Sequence, residues 1–272
     1  MNEICGIPNH KQELSSVQDQ SIVQSLDFTN RRVLITGAAG GLGQSLAQEF
    51  ARAGAELVLA DIDGAGLARV AEGFAARDHA QMVTTQVYDQ ADLGSVAGLA
   101  AAAGRVDVLI NNAAMLLVAP LLDTDPAAIG RVIGTNLVGP MVLARHVAVP
   151  MVAHGRGVII NISSQLGFCG AAGRGIYATA KAGLAQFTKT AAAEWAPHGV
   201  RVLAIAPGRL LTSMSTFLGR DEAAYKAGIS RVPAGRYGTP EEIARLVVIL
   251  ASPLADYVVG DTLIADGGYV LG

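Results

Sequence analysis

Cysteine and charged residues are both scarce in this sequence of 272 residues. The two cysteines, Cys5 and Cys169, lie far apart, so they predict no disulfide framework and no metal site. This usage favours a reducing, cytoplasmic setting. Charged residues make up 16% of the chain, and the net charge is −3. Because the sequence has no basic patch, we expect neither nucleic acid nor an anionic membrane as a partner.

Long apolar runs are missing as well. No stretch reaches the roughly 18 uninterrupted apolar residues that a membrane-spanning helix requires. The N-terminus is polar and lacks the apolar segment that follows a basic start in a secretory signal. The sequence therefore predicts neither a membrane span nor a secretory signal.

Apolar residues nevertheless make up 51% of the chain, and glycine is abundant. Residues 1–28, rich in Ser, Gln and Asn, are interpreted as an N-terminal extension, either disordered or partly helical near Ile22 to Leu26. Over residues 29–272, short apolar runs alternate with helical stretches, without a repeat or linker. This predicts a single α/β domain, a doubly wound parallel sheet of about seven strands with helices on both faces. The predicted strands span 33–35, 57–60, 81–87, 106–110, 157–162, 200–206 and 262–265, and the predicted helices span 42–53, 66–76, 93–103, 126–154, 176–195 and 241–250.

The unusual residues of the sequence directly follow predicted strands. In a doubly wound sheet, ligands bind outside the carboxyl ends of the strands. Because these ends share one edge, the pattern predicts one common site. The residues in question are Gly37 to Gly43, Asp61, Asp89, Asn112, Ser164 and Pro207-Gly208.

Four glycines lie between the first predicted strand and its helix, in the segment Thr36 to Gly43. Glycine lets the backbone turn sharply and approach a pyrophosphate, and the helix N-terminus offers free N–H groups to it. A plain tight turn is the alternative reading. The position between a strand and a helix favours a dinucleotide site.

Asp61 ends the second predicted strand, 24 positions after Gly37. A carboxylate there can bind the adenosine ribose hydroxyls and would repel a 2′-phosphate. It could instead cap a helix that begins near Gly64. No basic residue occurs in the glycine loop or directly after Asp61, so we expect NAD as the cofactor and consider NADP less favoured.

Tyr177 and Lys181 are four residues apart on a predicted helix, so both side chains lie on one face. A nearby ammonium group favours the tyrosinate, and we therefore expect the pKa of Tyr177 to be lowered. The hydroxyl of Ser164, at the end of the preceding strand, could bind a substrate oxygen. A surface Tyr–Lys pair would be the ordinary interpretation if the glycine loop and Ser164 were absent.

Several of these segments together carry a family resemblance. They are Thr36-Gly37-x-x-x-Gly41-x-Gly43, Asn111-Asn112-Ala113, Asn136, Ser164, Tyr177-x-x-x-Lys181 and Pro207-Gly208. Over about residues 29–270 the chain resembles the short-chain dehydrogenases/reductases, and its details are similar to 3-oxoacyl-carrier-protein reductases and to sugar or cyclic-alcohol dehydrogenases. The resemblance implies a Rossmann-type fold. It also implies an NAD(H)-dependent oxidoreductase that transfers a hydride between nicotinamide and a secondary alcohol or ketone.

The resemblance also implies a role for each matching residue. Tyr177 would be the general acid and base, and Lys181 would hold the nicotinamide ribose. Ser164 would orient the substrate oxygen, and Asn136 would hold a water in a proton relay. The implied cofactor-binding residues are Gly37, Gly41, Leu42, Gly43, Asp61, Ile62, Asp89, Gln90, Asn112, Ala113, Tyr177, Lys181, Pro207, Gly208, Leu210 and Thr212.

Two positions depart from the family pattern. Ala114 replaces the glycine that often ends Asn-Asn-Ala-Gly, and Gly40 stands where NADPH-using carrier-protein reductases often have arginine. The absence of arginine at position 40 argues against an NADPH-dependent 3-oxoacyl-type ketoreductase, which is kept as an alternative. A redox-neutral enzyme, or a relative that binds the nucleotide without chemistry, is a further alternative.

A mostly apolar lid is expected around residues 209–235, over the substrate. Arg209 could face an anionic substrate or form a surface or subunit salt bridge. By resemblance we also expect a homotetramer with interfaces on the helices near 93–115 and 130–153 and on the C-terminal segment. A medium-sized, partly apolar secondary alcohol or ketone is the expected small-molecule substrate.

Overall fold

Seven parallel strands form one sheet in the order β3-β2-β1-β4-β5-β6-β7. The structure is a computed structural model that describes residues 21–75, 83–211 and 222–272. The strands span Arg32–Thr36 (β1), Glu56–Asp61 (β2), Val83–Val87 (β3), Val108–Asn111 (β4), Gly157–Ile162 (β5), Val200–Pro207 (β6) and Thr262–Ala265 (β7). The helices span Ile22–Ser25 (α1), Gly41–Arg52 (α2), Gly64–Ala75 (α3), Leu93–Ala103 (α4), Pro126–Ile133 (α5), Gly139–His154 (α6), Gly175–Trp195 (α7), Glu222–Ile229 (α8) and Pro240–Ala251 (α9).

This sheet confirms the predicted doubly wound α/β fold. The strand order reverses between β1 and β4, which pair in parallel through Val33 with Val108 and Leu34 with Leu109. A crevice opens at such a reversal, because the connections from the two strands leave toward opposite faces of the sheet. The fold therefore places a binding crevice directly beyond Thr36 and Asn111.

Both faces of the sheet are buried, which explains why the strands are short apolar runs. On one face, Val33 and Ile35 pack in a cluster with Phe50 of α2 and Val247 of α9. On the other face, Leu34 packs with helices α4 and α6. Alternate residues of one strand thus serve two cores, so a polar side chain inside β1 would disturb one of them.

The segment predicted as one helix over 126–154 is continuous but not uniform. A π-helical turn at Gly134–Val138 separates α5 from α6. By length and composition alone, Pro126–His154 would be long and apolar enough to cross a membrane. Leu143 and Val147 are instead buried against the sheet. Apolar composition is what a helix packed on a parallel sheet needs.

The described part of the expected N-terminal extension joins the domain core. Helix α1 begins after a capping box formed by Ser21 and Gln24. Phe28 is fully buried and meets Phe50 edge to face, with ring centroids 5.2 Å apart. Such aromatic packing adds to the area that the pair buries. Residues 1–20, the other part of the expected extension, lie outside the described residues.

A chain of buried amide and hydroxyl groups links the centre of the sheet to helix α7. The Asn111 amide donates to Asn161 Oδ1 at 2.9 Å, and the Asn161 amide donates to Thr188 Oγ1 at 2.9 Å. Thr188 donates in turn to the Leu184 carbonyl. Buried polar groups are costly unless they are bonded, so this chain fixes how α7 lies on the sheet.

Replacing Thr188 with valine tests this chain, because valine keeps the shape but removes the acceptor. The Asn161 amide would then be buried without a partner, and the free energy of unfolding should fall by about 1–3 kcal/mol in urea denaturation. Thr190→Val is the matched control, since Thr190 bonds the carbonyl four residues earlier in the same helix but is exposed. Equal losses in the two variants would contradict the network.

Candidate active site

The glycine loop after β1 is shaped by close backbone contacts. Gly37 has a φ of +65°, and a Cβ there would lie 2.7 Å from the Cα of Ala113. A Cβ on Gly43 would lie 2.0 Å from the Gly37 carbonyl oxygen. Side chains at these positions would therefore force the loop apart. Helix α2 begins at Gly41 with no side-chain cap, so its first N–H groups face the crevice as an anion-binding end.

Asp61 and Asn112, at the ends of the two strands that flank β1, hold this loop from either side. Asp61 Oδ2 accepts a hydrogen bond from the Ala39 N–H at 2.9 Å. The Asn112 amide donates to the carbonyls of Thr36 and Gly37, at 2.9 and 3.1 Å. Both side chains thus fix the loop, a task that the sequence did not reveal for either.

A cleft of about 410 Å³ runs along this loop, and ten of the predicted cofactor residues line it. The uncapped helix end suits a pyrophosphate, and the carboxylate of Asp61 suits ribose hydroxyls. The residues therefore fit an adenine dinucleotide. The predicted residues in the cleft are Gly37, Gly41, Leu42, Gly43, Asp61, Ile62, Asp89, Gln90, Asn112 and Ala113.

The side chains of Gln90 and Asp89 form different hydrogen bonds within the protein. The buried Gln90 amide donates to the Ala113 carbonyl at 3.0 Å and also to the Thr135 carbonyl. The carboxylate of Asp89 accepts from the Ala91 N–H and closes its own turn. The Gln90 side chain thus fixes the backbone of Ala113 and Thr135, two residues that line the cleft.

Ser164, Tyr177 and Lys181 come together at the end of β5. Lys181 is 2% exposed, and its Nζ donates to the Ile162 carbonyl at 2.7 Å and lies 5.9 Å from the centre of the Tyr177 ring. Ser163 Oγ donates to the Lys181 carbonyl at 2.9 Å. These two bonds fix the first part of α7 on β5 and so bring Tyr177 beside Ser164.

Burial dominates the titration of this pair. It raises the pKa of Tyr177 above its ordinary value, and the hydrogen bond with Ser164 acts in the opposite direction. The expected lowering of the Tyr177 pKa is therefore wrong in this structure, because desolvation outweighs any stabilisation of the phenolate. Burial also lowers the pKa of Lys181 from 10.5 to about 8.

Asn136 lies in the π-helical turn and is fully buried. Its Oδ1 accepts from the Met115 N–H at 2.9 Å, and its Nδ2 donates to the Met115 carbonyl at 2.8 Å. This paired contact fixes the strand-like segment after Ala113. A π-turn shifts the following residues around the helix axis, and such turns are frequent at functional sites.

A second cavity, of about 650 Å³, contains Ser164 and Tyr177. Leu116 lines it, while the preceding Met115 lines the cofactor cleft, so the two spaces adjoin. Of the predicted cofactor residues, Gly208 and Leu210 line this cavity, Pro207 is buried in β6, and Thr212 lies outside the described residues.

Sequence reasoning missed several residues of this cavity. They come from the N-terminus of α7, from the segment after α8 and from the chain end, and only the fold brings them together. The described part of the expected lid holds α8, whereas residues 212–221 of it lie outside the described residues. The missed lining residues are Arg174, Tyr237 and Tyr269, whereas Arg231 lies within the expected lid.

Known proteins match almost the whole described fold. A family model described as enoyl-(acyl carrier protein) reductase matches residues 37–270. Cis-4-hydroxycyclohexanecarboxylate dehydrogenase of Sinomonas cyclohexanicum is 40% identical over 245 residues, which cover 89% of this chain and 97% of that protein. The 3-oxoacyl-[acyl-carrier-protein] reductase of Thermotoga maritima is 36% identical over 241 residues, covering 88% and 97%. The chain belongs to the short-chain dehydrogenase/reductase family.

A solved structure extends the match to three dimensions. Gluconate 5-dehydrogenase from Burkholderia cenocepacia, in complex with NADP and tartrate, is similar with a TM-score of 0.86 at 32% identity. The match covers 93% of this chain and 100% of that chain. As a short-chain dehydrogenase/reductase, the protein is an NAD(P)-dependent oxidoreductase that acts on CH–OH groups.

The buried lysine gives a prediction for stability against pH. The folded pKa of Lys181, about 8, lies below 10.5, so between these values the unfolded chain binds more protons and stability rises with pH. Relative to Lys181→Met, the wild-type protein should gain up to about 3 kcal/mol between pH 8 and pH 10.5 in urea denaturation without nucleotide.

Lys189→Met is the control, because Lys189 is exposed on the same helix. Its stability should run parallel to that of the wild type over this pH range. A parallel course for Lys181→Met as well would show that the amine is not buried as described.

Proposed function

We propose that this enzyme interconverts a small secondary alcohol and its ketone, with Tyr177 as general acid and base. The observation that carries the proposal is the placement of Ser164 and Tyr177 in one cavity that adjoins the nucleotide cleft. A reacting oxygen held by both hydroxyls would present its carbon to the nicotinamide. Holding the substrate against the cofactor in this way is the largest contribution that the protein makes to catalysis.

In the oxidation, the substrate hydroxyl lies between Ser164 Oγ and the Tyr177 oxygen. Tyr177, after losing its own proton to solvent, accepts the hydroxyl proton as the phenolate while the hydrogen on the carbon leaves as hydride. A bound nicotinamide would supply the acceptor for that hydride. In the reduction, Tyr177 returns the proton to the forming alkoxide. Since burial raises the pKa of Tyr177, the residue is protonated at neutral pH and is ready to act as the acid.

Lys181 and Asn136 support this proton transfer. One N–H of the Lys181 ammonium is bonded to the Ile162 carbonyl, which leaves two donors for the nicotinamide ribose. We assign Asn136 to positioning through Met115, and its unused lone pair and N–H could hold the water of a proton relay. Leu210 and Thr212 are proposed to bind the carboxamide.

For the cofactor we propose NAD rather than NADP. The carboxylate of Asp61 lies in the cleft, and none of the described residues that line the cleft is Lys or Arg. A ribose 2′-phosphate would meet this negative charge without a cation to offset it. NADPH-dependent 3-oxoacyl reduction, the activity of one relative, is the second candidate because of the sequence similarity to that enzyme.

The assembly and setting are proposed from the family and the surface. Apolar side chains are exposed along α6 and near the chain end, including Met141, Val149 and Leu271. Exposed apolar patches of this kind commonly mark subunit interfaces. We propose a homotetramer in the cytoplasm, where both cysteines would remain thiols.

Replacing Tyr177 with phenylalanine tests the central role. The variant should lose about 10²–10⁴-fold in kcat, because no group remains to move the proton, while the dissociation constant of NAD changes little. The assay follows NADH absorbance with cis-4-hydroxycyclohexanecarboxylate, galactitol and gluconate, and follows reduction of acetoacetyl-CoA. Tyr257→Phe, at a fully exposed tyrosine, should match the wild type. Normal turnover by the Tyr177→Phe variant would overturn the assignment.

Replacing Asp61 with asparagine tests the cofactor preference. Asparagine keeps an acceptor for the Ala39 N–H but removes the charge, so the ratio of kcat/KM for NAD to that for NADP should fall at least about tenfold. Asp63→Asn is the control, because this exposed carboxylate lies two residues away and caps α3. A wild-type preference for NADP would refute the proposal directly.

A further inference from the structure

The cavity beside the catalytic pair is lined by three arginines, Arg174, Arg209 and Arg231. None of the described residues that line it is Asp or Glu. The whole chain has a net charge of −3, so a cavity rich in cations is a local feature and not a consequence of composition. Apart from these arginines, Ser164 and Tyr177, the described residues that line the cavity are mostly apolar, aromatic or glycine.

Arg209 is held in place by neutral groups. Gly238 donates its N–H to the Arg209 carbonyl at 3.1 Å, which fixes the backbone after β6. The guanidinium Nη1 donates to the Tyr237 hydroxyl at 3.2 Å and lies near the same ring. A phenol orients the guanidinium but does not neutralise it, and most of its five donors remain for another acceptor.

The other two arginines are also held without a carboxylate among the described residues. The guanidinium carbon of Arg231 lies 4.7 Å from the centre of the Tyr269 ring, a cation–π contact. Arg174 directly precedes the 21-residue helix α7 and is half-buried. The positive end of the helix dipole adds to its charge, an arrangement that costs stability unless an anion binds there.

Two acidic side chains near this cavity among the described residues, Asp266 and Glu242, are engaged in other contacts. The carboxylate of Asp266 accepts from the N–H groups of Gly268 and Val270, at 2.8 and 2.9 Å. Glu242 forms a two-pronged pair with Arg236, which does not line the cavity. The described surroundings thus leave the positive charge of the cavity unbalanced.

We propose that the substrate carries a carboxylate, which Arg209 and Arg231 bind with help from Arg174 while Ser164 and Tyr177 hold its hydroxyl or keto oxygen. This inference rests on the proposed function and names its substrate class, small secondary hydroxy acids and oxo acids. The volume of about 650 Å³ lies within the range of small-molecule sites, so the acid and the reacting carbon belong to one compact molecule. Arginine is suited to a carboxylate because its planar fork donates two parallel hydrogen bonds.

The test compares each acid with its neutral amide of the same shape. The probes are cis-4-hydroxycyclohexanecarboxylate and 3-hydroxybutanoate, each beside its primary amide. Calorimetric titration of the Tyr177→Phe protein with NAD bound gives dissociation constants without turnover, and steady-state kinetics of the active enzyme gives kcat and KM. At least one acid should bind about tenfold or more tightly than its amide.

Arginine variants then locate the site. Arg209→Gln and Arg231→Gln should each raise the dissociation constant and KM of the acid about tenfold and leave those of the amide within twofold. The loss for the acid is limited to about tenfold because both arginines are partly open to solvent. Arg156→Gln is the control, since Arg156 is exposed and lies before β5, at the opposite edge of the sheet from Ser164. This variant should match the wild type.

Equal affinity for acid and amide, including undetectable binding of both, overturns the proposal, as does an equal loss for both probes in the arginine variants. If neutral alcohols are then still oxidised, the proposed function stands without the carboxylate site. If the acids bind through the arginines but no substrate is turned over with NAD or NADP, the carboxylate site stands and the proposed function fails.

Discussion

The ammonium group of Lys181 is buried where helix α7 meets the end of β5, and the active site depends on this contact. Its Nζ donates to the Ile162 carbonyl, while Ser163 of the same strand end donates to the Lys181 carbonyl. Burying a cation is expensive, which is why the Lys181 pKa falls to about 8. The two hydrogen bonds set the rotation of α7 about its own axis. Tyr177, one turn earlier, then lies beside Ser164.

Side chains of opposite charge lie at two places along this edge of the sheet. At the β1–β2 side, Asp61 gives the nucleotide cleft a negative group near the ribose position. At the β5–β6 side, Arg209 and Arg231 give the adjoining cavity positive charge. The strand ends thus arrange groups of opposite sign along one crevice. An anionic group is therefore disfavoured beside Asp61 and favoured beside the arginines of the cavity.

The sheet and the placement of Lys181 beside Tyr177 were predictable because both follow from local patterns. Buried parallel strands are apolar runs, and residues four apart on a helix share a face, as Tyr177 and Lys181 do. The whole cavity wall was not predictable, because Arg174, Tyr237 and Tyr269 reach it only through tertiary packing. The direction of the Tyr177 pKa shift also failed, since sequence spacing reveals a neighbouring charge but not the extent of burial.

Local rules are broken at several places in the described chain, and these places meet at one edge of the sheet. Helix α2 lacks a side-chain cap, the π-turn at Asn136 interrupts a long helix, and Lys181 is a buried cation. Each costs stability that an ordinary sequence would avoid. Uncapped N–H groups can bind phosphate, a π-turn redirects a side chain, and a buried amine can exchange a proton near neutral pH. Because each irregularity places a distinctive chemical group at the same edge, their coincidence argues for one active site more strongly than any single motif does.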